Sequence, residues 1–75
     1  MLIYKVEITY PNGEIEEVDE DFFSVKKAIE SATHLLGQVS YNAQFHKGSA
    51  KLEPFAVVKE YNNNEVKIVY DSRNQ

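Results

Sequence analysis

The opening residues set the terms for what this chain can fold into. Leu2, Tyr4, Val6, Ile8 and Tyr10 fall on one side of a two-residue alternation, with Lys5, Glu7 and Thr9 on the other, the pattern of a strand with one buried face. Pro11-Asn12-Gly13 follows at once. It combines a proline with preset φ, an asparagine that tolerates the left-handed region and a glycine free to take positive φ. The chain therefore begins with a hairpin. Its return strand, residues 14–19, has only Ile15 and Val18 as apolar residues, at a spacing that breaks the alternation. This predicts a short edge strand whose carboxylates discourage pairing with other chains.

The period then changes. Val25, Ala28, Ile29, Ala32, Leu35 and Leu36 recur at three- and four-residue intervals and make one apolar stripe on a helix over 22–36. Asp21 is positioned as its N-cap, with Asp19 to Asp21 where the helix dipole favours negative charge. Gly37 suits a C-terminal cap. Beyond it, Val39, Tyr41, Ala43 and Phe45 alternate like a strand, while Val39 and Ala43 also continue the helical series Val25, Ile29, Ala32, Leu36. The six-membered helical series is the longer signal, so one long helix to residue 46 is expected, with Gly37 as the point where it can kink. At 1.5 Å per residue it would run about 37 Å and overhang strands of about 20 to 23 Å.

His46 to Lys51 form a polar loop, and Pro54 opens the next extended segment. Residues 55–61 and 66–70 are β-branched and aromatic runs joined by Asn62-Asn63-Asn64, which predicts a second hairpin. The tail 71–75 has nothing to bury and is expected to fray. The order β-β-α-β-β gives an α+β fold: a four-stranded, mostly antiparallel sheet with the helix across one face, in one domain spanning 1–75. With 75 residues and no cysteine, packing alone must hold it. Net stability is then on the order of 4 to 10 kcal/mol.

Few residues point to chemistry. His34 and His46 stand twelve apart with no neighbouring carboxylate at zinc-ligand spacing, and read as solvated surface groups. Ser40 lacks the second glycine of a nucleophile elbow. Six of the twelve acidic residues cluster within 14–21, without the calcium-loop spacing of an EF-hand. No catalytic residue, metal site or cofactor is assigned, and the expectation is a protein that is not an enzyme. A net charge of −4 with scattered basic residues argues against nucleic acid. Segment 41–51 mixes aromatics with positive charge, and Lys47 and Lys51 would carry a weak nucleic-acid contact as the alternative reading. No stretch approaches a membrane span of roughly 18 apolar residues. The lack of cysteine and of a leader-like N-terminus places the chain in the cytoplasm.

The remaining feature is surplus apolar surface on the C-terminal hairpin. A three-residue loop would set Val58 against Ile68 and Ala56 against Tyr70, leaving Phe55, Val57 and Val69 on the face away from the helix. A two-residue loop would pair Glu60 with Lys67 and set Lys59 among Val57, Tyr61 and Ile68. Both leave apolar residues on a face that an antiparallel sheet with one wet side keeps polar. The sequence therefore points to a small interaction domain that binds a protein partner or a second copy of itself. Phe55, Val57 and Val69, with Tyr41 and Phe45 on the helical overhang, are the candidate contact residues.

Overall fold

The computed structural model describes residues 2–43 and 53–74, with side chains described as far as Val39 and again from Glu53. The elements are β1 (Leu2–Thr9), β2 (Ile15–Glu17), α1 (Val25–Ala43), β3 (Phe55–Asn62) and β4 (Glu65–Asp71), followed by a single 3₁₀ turn at Ser72–Asn74. The strands form one sheet in the order β2-β1-β3-β4, with every neighbouring pair antiparallel. The expected β-β-α-β-β arrangement is thus the one observed. Its central pair, β1 and β3, is in unbroken register over eight residue pairs, from Leu2 opposite Asn62 to Thr9 opposite Phe55.

That register makes the core. Tyr4, Val6 and Ile8 lie on the helix side of β1, and Val58 and Ala56 stand opposite Val6 and Ile8. Ala28 and Ala32 meet them from α1, both fully buried. Alanine at the two closest points lets the helix backbone approach the sheet, while Ile29, Leu35, Leu36 and Val39 pack around the margin. Among the described residues, only Val6 and Val58 are sizeable side chains with no exposure at all, so the central core they form is narrow.

The helix starts with its apolar stripe, at Val25, rather than at the expected residue 22. Phe22 exchanges two backbone hydrogen bonds with Tyr4, its N–H donating at 2.9 Å and its carbonyl accepting at 2.8 Å, and a residue held in a β-bridge cannot open a helix. Ser24 takes the N-cap position that Asp21 was expected to fill: its carbonyl accepts from Ala28 N–H at 3.1 Å, and its Oγ lies 3.5 Å from the Lys27 amide. Asp21 instead pairs with Lys5. At the other end α1 runs through Gly37 without ending there, and residues 44–46 lie outside the described residues.

Each hairpin is closed by its own turn chemistry. Gly13 takes φ of 92° and Asn12 Oδ1 accepts from Glu14 N–H at 2.9 Å. In the second hairpin Asn62 stands opposite Glu65, so the turn is the two residues Asn63-Asn64, with Asn63 at φ of 57°. Glu60 therefore faces Lys67 and Lys59 faces Ile68. The register then shifts, and Val58 faces Tyr70. Val69 is the extra residue of a β-bulge, which bends the strand and changes which face the following side chains take. Neither register weighed from sequence anticipates that change. Tyr70 and Val69 both pack against the core, while Ile68 points to the other face.

The chain end departs from expectation as well. Ser72–Asn74 is folded back rather than frayed, because Ser72 Oγ accepts the Ala56 N–H at 3.0 Å and the Arg73 guanidinium stacks 3.8 Å from the centre of the Phe55 ring.

Two substitutions test this account of the packing. Gly37→Ala adds a methyl group that would meet nothing within 4 Å, at a helical position of ordinary φ. It should raise stability by about 0.8 to 1 kcal/mol in urea denaturation. Val58→Ala empties the centre of the core and should cost about 2 to 3 kcal/mol by the same measurement.

Candidate interaction surface

The face of the sheet away from α1 is ordered in rows, because residues directly opposite one another share a face. The first row is Ile3, Tyr61 and Val66. The second is Lys5, Lys59 and Ile68, and the third is Glu17, Glu7, Val57 and Asp71. The last is Ile15, Thr9 and Phe55. An apolar row at one end, two charged rows in the middle and a mixed row at the other end make up the surface.

The charged rows set like charges side by side, Lys5 against Lys59 and Glu7 against Glu17. The side chains resolve this by pairing between rows. Lys59 Nζ donates to Glu7 Oε2 at 2.9 Å, and Lys5 Nζ lies 3.0 Å from Asp21 and 3.8 Å from Glu17. The hydrogen bond to Asp21, followed by its charge, raises the Lys5 pKa, and the hydrogen bond to Glu7 does the same for Lys59. Pairs this exposed add little to stability. Their larger effect is to hold both lysines against carboxylates.

At the mixed end the folded-back chain end covers Phe55, while Ile15 in the same row stays 63% exposed. Arg73 lies over Phe55, and its side chain forks onto Asp71, with Nε at 3.0 Å from Oδ1 and Nη2 at 2.7 Å from Oδ2. These hydrogen bonds, with a further one from the Arg73 amide, hold the Asp71 carboxyl below its ordinary pKa. Val57 beside it is only 5% exposed.

The candidate residues read from sequence are therefore not brought together as one open patch. Phe55 is stacked under Arg73, Val57 is buried, and the bulge turns Val69 toward the core. Tyr41 lies near the end of α1, and Phe45, Lys47 and Lys51 lie outside the described residues. The exposed apolar side chains of the C-terminal hairpin are instead Val66 and Ile68, 56% and 57% exposed, beside the half-buried Ile3 and Tyr61. Sequence reasoning passed over Val66, although the two-residue turn it considered would have set that residue opposite Tyr61.

Elsewhere, a shallow groove of about 570 Å³ runs between α1 and the first hairpin, with Ile8, Leu35 and Val39 among its apolar lining and Glu16, Glu17 and Asp19 along it. Tyr10 donates to Glu16 there at 2.9 Å, which raises the tyrosine pKa. Tyr4 is raised too, first by burial and then by the charge of Glu60 across the strand pair. His34 is exposed and contacts Gln38 at 3.2 Å. Among the described residues no group of three or more His, Cys, Asp or Glu side chains could hold a metal ion, and no helix is long and apolar enough to cross a membrane. Searches with this chain against protein-family models, curated proteins and solved structures find no match.

The pKa directions give a testable pH profile. Lys5, Lys59, Tyr4 and Tyr10 are raised in the fold, so their contributions are complete below the ordinary values of 10.5 and 10.0 and are lost as pH rises through the folded values. Asp71 is lowered, so its contribution is complete above the ordinary value of 3.8 and is lost as pH falls through the folded one. Arg73→Ala should return the Asp71 titration, followed by carboxyl NMR shifts, toward the ordinary carboxylate range. It should destabilise the protein more at pH 7 than at the acid end of that titration.

Proposed function

We propose that this chain is a non-catalytic interaction domain of the cytoplasm that presents the open face of its sheet, at the β4 side, to a protein partner. The observation that carries the reading is the exposure of Val66 and Ile68 in line with Ile3 and Tyr61. One wet face of an antiparallel sheet is ordinarily polar. Here the other half of the same face is treated that way: carboxylates hold Lys5 and Lys59, and Arg73 covers Phe55. Ile15 is also exposed on this face but stands alone on the opposite edge strand, whereas Val66 and Ile68 lie together on β4, which supports a contact surface at the β4 side.

The alternative, nucleic-acid binding through 41–51, draws no support from the described residues. Lys5 and Lys59, the basic groups beside the half-buried Tyr61, are each engaged by carboxylates. A phosphate would have to displace them.

The test compares tagged wild type with Val66→Lys/Ile68→Lys by quantitative affinity capture from the cells that make the protein. Both positions are exposed, so the double variant should stay within about 1 kcal/mol of wild-type stability. The reading predicts a protein, a second copy included, recovered with wild type and depleted with the variant. Equal recovery of every protein by a folded variant contradicts it.

A further inference from the structure

The two edges of the sheet are finished differently. Along β1, residues 15–17 pair with 7–9, Val18 N–H donates to Val6 carbonyl at 2.8 Å, and Phe22 brackets Tyr4. One acidic segment thus follows that edge for most of its length. Along β4 no strand among the described residues pairs with the outer side. In a ladder closed by a two-residue turn, hydrogen-bonded and non-bonded pairs alternate outward from the turn. Glu65 and Lys67 then direct their backbone groups to β3, while Val66 and Ile68 direct theirs outward. The bulge at Val69 ends the straight run, which leaves Asn64–Ile68 as an open template.

We propose that a second copy of this chain occupies this edge, its β4 antiparallel to the first across a two-fold axis at Val66. This rests on the reading of that side of the sheet as an interaction surface. A two-fold axis normal to the sheet sets one residue opposite its own copy, because facing residues share a face. Centred on Lys67, the pairing opposes lysine to lysine. Centred on Glu65 it opposes glutamate to glutamate, and centred on Ile68 it sets Glu65 against Asp71 and runs into the bulge.

Centred on Val66, it sets Glu65 against Lys67 of the second copy, twice by symmetry. These fall at non-hydrogen-bonded positions, where side chains of opposite strands come closest. Lys67 can be shared with the second copy, since its side chain is 70% exposed and its pairing with Glu60 is a long one at 3.6 Å. On the other face the same register joins the apolar rows end to end: Ile3, Tyr61 and Val66 run into their own copies across an eight-stranded sheet. Five residues per chain form a small interface, so the association is weak and concentration-dependent.

The test is sedimentation velocity from micromolar to near-millimolar concentration on wild type, Glu65→Lys, Lys67→Glu and the double exchange, with melting curves confirming that each is folded. Wild type should form a dimer as concentration rises. Each single exchange should weaken it at least about tenfold by opposing like charges across the axis, and the double exchange should return it to within a few-fold of wild type. Monomeric wild type throughout, single variants that dimerise as well as wild type, or a double variant no better than the singles would each overturn the pairing. The capture comparison separates this from the broader reading: a monomeric wild type whose capture still depends on Val66 and Ile68 leaves the interaction domain standing with a different partner. A monomer with no such dependence removes both.

Discussion

The extra residue at Val69 is what the rest of the second hairpin depends on. A strand in unbroken register gives each face every second side chain, and β4 has conflicting obligations. Near the turn it places Lys67 beside Glu60 on the helix side and Val66 beside Tyr61 on the open side. Two residues past the middle it must deliver the Tyr70 ring to a core too narrow to close without it. The bulge reconciles these, since it advances the strand by one residue and moves Tyr70 opposite Val58. It also sets Asp71 opposite Val57 on the open face, where Arg73 can reach it. Core closure, the anchored chain end and the exposed Val66–Ile68 segment are three results of one insertion.

A second constraint comes from how little the core contains. With alanines at the helix contact and Val6 and Val58 as its largest fully buried side chains, the fold depends on close approach rather than on bulk. Two of the apolar residues outside that core are covered individually. Phe22 is drawn in by its bridge to Tyr4, and Phe55 is covered by a guanidinium. Phe23 and Ile15 stay exposed singly, at 70% and 63%, whereas Val66 and Ile68 lie together on the outer strand, where one contact would cover both.

The sequence made the architecture legible where periodicity was long or turn chemistry specific. Residues 2–10 and the Val25-to-Leu36 stripe led directly to β1 and α1, and Pro11-Asn12-Gly13 to the first hairpin. What escaped was decided by long-range contacts. Asp21 looks like a cap until Phe22 is seen bridged to Tyr4, a residue eighteen positions earlier on the same edge. Ser72 and Arg73 look like a tail until Ala56 N–H and the Phe55 ring are in place. Val69 gives no local sign of being a bulge, because a β-branched residue suits either face and the register depends on which neighbours must reach the core. The apolar surplus of the hairpin was therefore legible, but the side chains exposed there are Val66 and Ile68.

The most direct test of this account is the cross-strand register of the second hairpin in solution, read from nuclear Overhauser contacts in isotope-labelled protein. The bulged arrangement predicts contacts between the α-protons of Tyr61 and Val66 and of Lys59 and Ile68, with the Tyr70 ring touching Val58 and the α1 side of the core. An unbroken ladder, with Val58 opposite Val69 and the Tyr70 ring on the open face beside Val57, would contradict it.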